Sequence, residues 1–184
     1  FLIERLAQMS PKLAEALVPG TLPLSALLLI LQALLKEQVS IRDIRSIAEA
    51  LVRTPGKDLA AQLSSVRIAL GRAIVQQIAG DEELPVITLD NALEQLLLSA
   101  LKQAESGLLA LEPGLAERLQ QSLKSACERQ QNQGEPCVLL VSATLRLPMA
   151  QFIERLEQPI TVLAFAEIPP QKQLRIVQTL GQSL

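Results

Sequence analysis

The chain has 184 residues, 49% hydrophobic but only 2% aromatic, and a net charge of −2 from 17 basic and 19 acidic side chains. This composition supports an aliphatic core and lacks both the basic excess and the stacking platforms of a nucleic-acid binder, so no nucleic-acid partner is expected. No histidine is present, which removes the usual general base near neutral pH, the Ser-His and Cys-His nucleophile pairs, and the commonest nitrogen ligand of zinc.

Residues 1–18 read as two short helical pieces, the first with Leu2, Leu6 and Met9 as its apolar stripe. Ser10-Pro11 restarts the helix, with Ser as cap and Pro at the first position, and the second piece, with Leu13 and Leu17, stops at Pro19-Gly20. So short a segment does not bury its own core. Residues 1–19 therefore read as the last helices of a subdomain that begins upstream. Phe1 is not a start residue and no signal peptide precedes it, so the chain reads as a piece of a longer protein.

The run Leu22–Leu35 is too short to cross a bilayer, carries Pro23, Ser25 and Gln32, and is followed at once by Lys36 and Glu37. A buried core helix over 24–36 is predicted there, outside the membrane. Ser40 with Asp43 three residues on has a capping-box pattern, opening a helix that buries Ile41, Ile44, Ile47, Ala48 and Leu51 and ends at Thr54-Pro55-Gly56. A third helix over 58–79 places Leu59, Leu63, Val66, Leu70, Ile74 and Ile78 on one buried face, with Gly71 at a close helix contact. Residues 20–80 thus read as an all-helical subdomain.

Beyond Gly80 the hydrophobic period changes. The acidic turn Asp81-Glu82-Glu83 leads into a strand over 86–89, and Asn91 with Glu94 reads as a second capping box opening a helix to about Gln103. A turn at 111–114 starts a helix over 114–131. Cys137–Val141 is continuously apolar, as in a strand covered on both faces. A helix over 144–156, a strand over 161–165 and an alternating edge strand over 173–180 follow. Strand, helix and strand form a βαβ unit with a parallel pair and a right-handed crossover. The expected fold class is α+β, a helical subdomain followed by a small α/β subdomain over 81–184.

No catalytic, cofactor-binding or metal-binding residues emerge from the pattern. Ser142-Ala143-Thr144 lies between a buried strand and a helix, where α/β folds often bind ligands, yet no glycine-rich phosphate loop accompanies it. It reads as a plain helix cap. Cys127 and Cys137 supply only two thiolates at a ten-residue spacing, matching buried free thiols rather than a zinc site or disulfide framework. Three adjacent acids at 81–83 do not by themselves make a cation site, because the ligands must converge in space. Arg67 and Arg72 read as snorkelling solubilisers. The one surface feature singled out is a polar stripe of Arg42, Arg45, Glu49 and Arg53 at helical spacing. Its plain interpretation is a solvated face with weak i,i+4 pairs. Its functional interpretation is a subdomain or protomer contact through Arg42, Arg45 and Glu49, suited to the planar fork of arginine.

Five segments together resemble a known family: KLAEALVPG at 12–20, LLKEQVSIRDIRSIAEAL at 34–51, VRIALGRAIVQQI at 66–78, LEPGLAERL at 111–119 and PCVLLVSATLR at 136–146. In this order and spacing, over about residues 10–180, the chain resembles the C-terminal cytoplasmic region of the FlhA family, export-gate proteins of the flagellar type III export apparatus. IRDIR and ALGRAI are the most specific motifs and are shared with injectisome relatives, whereas the ending AEIPPQKQLRIVQTLG looks more flagellar. The resemblance implies a cytoplasmic segment of an inner-membrane protein, assembled into a homo-oligomeric ring. It implies docking of export chaperones with late substrates, a part in substrate switching, and contact with the export ATPase complex and other gate components. The principal chaperone groove of the family lies mostly upstream of this segment. The alternatives are the equivalent gate protein of a virulence injectisome and, in a different class, a small-molecule-binding α/β domain built on the βαβ unit.

Overall fold

In the computed structural model, residues 2–56, 58–104, 109 and 111–181 are described. Chain contacts divide the protein into two compact units, Phe1–Ile74 and Val75–Leu184. The fold class is α+β, with helices first and a parallel sheet after them.

The first unit begins with α1 (Leu2–Met9) and α2 (Pro11–Glu15). A wide turn follows, closed by the Leu22 N–H donating to the Leu17 carbonyl at 2.9 Å, with Val18 kinked out of helical geometry. The expected stop at Pro19-Gly20 is therefore a kinked continuation to Thr21. Leu6, Ala14 and Leu17 are buried, and α1 and α2 pack against α4 (Ile44–Val52). Between them, α3 (Leu24–Lys36) ends in a Schellman-type turn in which the Val39 N–H donates to the Leu34 carbonyl and Gln38 takes a left-handed backbone.

The cap of α4 is Asp43, not Ser40. Asp43 Oδ1 accepts from the Ser46 N–H at 3.1 Å and Oδ2 from the Ser46 hydroxyl at 2.7 Å, while Ser40 Oγ accepts only from the Arg42 N–H at 3.4 Å. The helix thus starts later than the pattern predicts, because a short carboxylate both reaches the orphan N–H groups and complements the helix dipole. The single helix expected over 58–79 is two, α5 (Leu59–Ala69) and α6 (Gly71–Ala79), separated at Leu70 with ψ near 0. The break falls beside Gly71, the poorest helix former in the stretch. Leu59 is exposed rather than buried, whereas Leu63, Val66, Leu70 and Ile74 are in the core.

The second unit contains a four-stranded, wholly parallel sheet of β1 (Leu84–Leu89), β2 (Val138–Val141), β3 (Thr161–Ala164) and β4 (Leu174–Leu180), in the order β3-β2-β1-β4. β2 is flanked by strands on both sides and all four of its residues are buried, as its unbroken apolar run predicts. β1 starts two residues earlier than expected and includes Pro85. Pairing with β4 begins at Leu84, but pairing with β2 only at Ile87, so the missing N–H of Pro85 meets no ladder.

Three helices cover one sheet face: α7 (Asn91–Gln103), α8 (Pro113–Asn132) and α9 (Ala143–Arg155). The cap of α7 is Asp90, accepting from the Leu93 N–H at 2.7 Å, and Asn91 is already inside the helix. Ile87, Leu139, Val141, Val162 and Leu180 meet Leu97, Leu119, Leu123, Leu145 and Met149 in a core whose only aromatic neighbour is the half-buried Phe152. Phe165 leaves β3 for a single tight turn over Phe165–Glu167 and is exposed. Pro148 lies inside α9, past its first turn.

Candidate interaction surfaces

The predicted stripe is only partly assembled. Arg42 precedes the cap of α4 and stands off the helix, exposed. On the helix, Arg45 Nε meets Glu49 Oε1 at 3.0 Å, and Arg53 approaches the other oxygen of Glu49 at 3.8 Å. Arg45 keeps 61% of its side-chain exposure, so each pair contributes only a few tenths of a kcal/mol. The group is a solvated patch with one carboxylate shared between two guanidinium groups.

Arg67 is not a snorkelling solubiliser. Its side chain is 1% exposed, and Nη1 meets Glu37 Oε2 at 3.0 Å. The pair ties α5 to the residue that follows α3. Arg72, by contrast, is exposed as expected. In the second unit Arg146 of α9 and Glu167 form another buried pair at 3.8 Å. Neither pair was legible in the sequence, because the partners lie 30 and 21 residues apart in the chain.

The strongest surface feature is one the sequence reading assigned to the core. Leu27, Ile30, Leu31 and Leu34 of α3 are buried, but Leu24, Leu28 and Leu35 are 58%, 54% and 53% exposed. Leu24, Leu28 and Leu35 lie together along one side of the helix, beside an exposed polar strip of Ser25, Gln32 and Lys36 that is the available signal in the sequence.

The remaining candidates have local roles. Asp81 accepts from Gln76 Nε2 at 3.3 Å, and Glu83 pairs with Arg175 at 3.5 Å. Cys127 and Cys137 are buried and free. Burial, and secondarily the hydrogen bond with Cys127, pushes the Cys137 thiol well above the usual range. Ser142 is at the cap position of α9 but makes no capping bond. Its Oγ is buried with no partner among the described residues, so the plain-cap reading fails for the side chain. No described helix is long and apolar enough to cross a membrane.

The profile of the FHIPEP family matches residues 1–173. The flagellar biosynthesis protein FlhA of Yersinia enterocolitica is 45% identical over 183 residues, covering 98% of this chain and 26% of its own length. The chain thus spans about a quarter of that curated relative. The cryo-EM structure of nonameric EPEC SctV-C superposes with a TM-score of 0.85 at 30% identity, over 97% of this chain and 55% of that one. The complex of Chlamydia pneumoniae CdsV and CdsO superposes at 0.84 and 26% identity, over 96% of this chain and 52% of that one.

Proposed function

Because the chain belongs to the FHIPEP family, we propose that it is a cytoplasmic part of the membrane export gate of a flagellar type III protein export apparatus. It acts through surfaces and performs no chemistry of its own. The observation that carries this reading is the 45% identity to a flagellar FlhA along nearly the whole chain. The 30% identity to an injectisome SctV-C makes the virulence gate the second reading.

Within that gate the segment contributes to a homo-oligomeric ring. The leucine side of α3 supplies the apolar contact and the Arg42, Arg45 and Glu49 group supplies register at its margin. The nonameric SctV-C relative supports a ring, and the assignment of α3 to its contact rests on the exposed leucines. Three half-exposed leucines covered by a neighbouring copy contribute roughly 3 kcal/mol per contact, at half the value of a fully buried leucine. We further propose that chaperones carrying late substrates, the export ATPase complex and other gate components are partners of the whole ring; the complex of the CdsV relative with CdsO supports partner binding in general.

The test uses the full-length parent protein. Leu28→Glu with Leu35→Glu abolishes swimming and ring assembly in a flagellated host, while the same changes leave the melting of the 184-residue chain within a few degrees of wild type. Normal swimming would remove the leucine side from the interface. Failure of the unaltered full-length gene to restore swimming to a strain lacking its own gate protein would overturn the flagellar assignment.

A further inference from the structure

The last turns of α8 and the strand β4 enclose a cavity of about 330 Å³ lined by Arg129, Gln130, Arg175, Ile176 and Val177, among others. Gln130 is 4% exposed, and its Nε2 is buried with no hydrogen-bond partner. A buried amide donor without an acceptor costs about 1–3 kcal/mol, which an incoming acceptor would recover. Arg129, at the lip of the same cavity, is exposed and pairs with no carboxylate among the described residues. Arg175 carries its charge differently, being neutralised by Glu83 and Glu135. The cavity therefore presents one neutral donor and one unpaired cation, and no acid lines it.

The open side of the cavity is a sheet edge. Among the described residues β4 pairs only with β1. Leu84 N–H donates to the Gln173 carbonyl and Asp90 N–H to the Leu180 carbonyl. Since inward and outward main-chain groups alternate along a strand, those of Leu174, Ile176 and Thr179 face away from the sheet. The register shift between Val86 and Ile87 leaves Val177 as an extra residue in β4, a bulge at the cavity mouth. Edges are normally blunted by Pro, charged side chains, bulges or brevity, and the Val177 bulge and Arg175 do so here in part. This one runs seven residues, Leu174–Leu180, without Pro or Lys and exposes Ile176 at 64%.

We propose that this edge and cavity bind an extended acidic peptide segment of a partner protein by strand addition. The peptide main chain pairs with the outward groups of β4, and one Asp or Glu side chain enters the cavity, accepting from Gln130 Nε2 and pairing with Arg129. A free small anion fits less well, because Arg175 is already neutralised and the edge would remain unpaired. A second copy of this chain, paired edge to edge, would bring Arg129 no acid from the matching lining, which holds none. Strand addition of this kind draws affinity from main-chain bonds and specificity from side-chain pockets.

The probe is a fluorescein-labelled nonapeptide alternating Thr and Val with a central Glu, titrated against the 184-residue chain by anisotropy. Matched peptides carry central Gln, central Lys, or N-methyl groups on alternate residues. The Glu peptide binds saturably and at least tenfold more tightly than the Lys peptide, and N-methylation abolishes binding. Arg129→Glu weakens the Glu peptide at least tenfold, Gln130→Leu weakens it severalfold, and the melting of both variants confirms that they are folded. Absence of saturable binding at millimolar peptide overturns the proposal. So does binding that ignores N-methylation or Arg129→Glu, or sedimentation showing a dimer whose edge excludes the peptide.

Discussion

Glu37→Gln tests the buried ion pair of the first unit from its more exposed side. The substitution keeps shape and a hydrogen-bond acceptor but removes the negative charge facing Arg67, whose side chain is 1% exposed. A buried cation left without its partner costs about 3–5 kcal/mol. The retained amide oxygen offsets part of this, so a loss of about 3 kcal/mol is expected. At 2–4 °C per kcal/mol for a chain of this size, melting falls by roughly 6–12 °C. Arg67→Met costs less, about 2 kcal/mol, because methionine fills the space of the arginine stem and the stranded Glu37 carboxylate keeps 24% of its exposure. The double variant costs about 3 kcal/mol rather than the additive value of about 5, a coupling of about 2 kcal/mol in a cycle read by urea denaturation and circular dichroism. Single variants that each cost under about 0.5 kcal/mol, as surface changes do, would show that Arg67 is a solubilising side chain after all.

Glu157 has a left-handed backbone, with φ of 51°, and places an acid just past the C-terminus of α9. Glu157→Gly relieves both the strain and the unfavourable dipole contact, and raises stability by about 1 kcal/mol in the same denaturation assay. Arg45→Ala on the exposed face of α4 changes stability by less than about 0.5 kcal/mol, whereas Arg42→Glu with Arg45→Glu in the full-length protein impairs ring assembly or motility. Cys137 keeps its proton in the folded chain because burial disfavours the thiolate. The unfolded thiol ionises near pH 8.5 and the folded one far higher, so this contribution to stability is intact below pH 8.5 and is lost as pH rises above it, by up to about 1.4 kcal/mol per pH unit. Cys137→Ala flattens that part of the stability–pH curve, measured by urea titration from pH 7 to pH 10.

The elements most legible in the sequence were those whose signal is local. The unbroken apolar run of β2, the alternation of β4 and the leucine-rich stretch of α3 each specified type and approximate bounds. The start of α4 is read three residues early and that of α7 one residue late, because Ser40 and Asn91 fit a capping box while Asp43 and Asp90 form the bonds. Arg67 was misread because nothing in its immediate neighbours announces Glu37, 30 residues away, and an isolated Arg on an apolar stretch is more often exposed. The exposed leucines of α3 are not marked by hydropathy alone, which does not distinguish a leucine facing the core from one left exposed beside it. The cavity beside Gln130 was invisible for a similar reason. It depends on a bulge at Val177 that brings β4 against α8 in a register no local pattern encodes.

The account stands most directly on protein export by living cells. In a flagellated host whose gate protein is replaced by the full-length parent of this chain, culture supernatants are assayed for hook and filament proteins. The unaltered protein exports both, and the form with Leu24→Glu, Leu28→Glu and Leu35→Glu, present in the membrane at the same level, exports neither. Undiminished export by the altered protein would contradict the assignment of the α3 leucines to gate assembly, and absence of export by the unaltered one would contradict the flagellar gate itself.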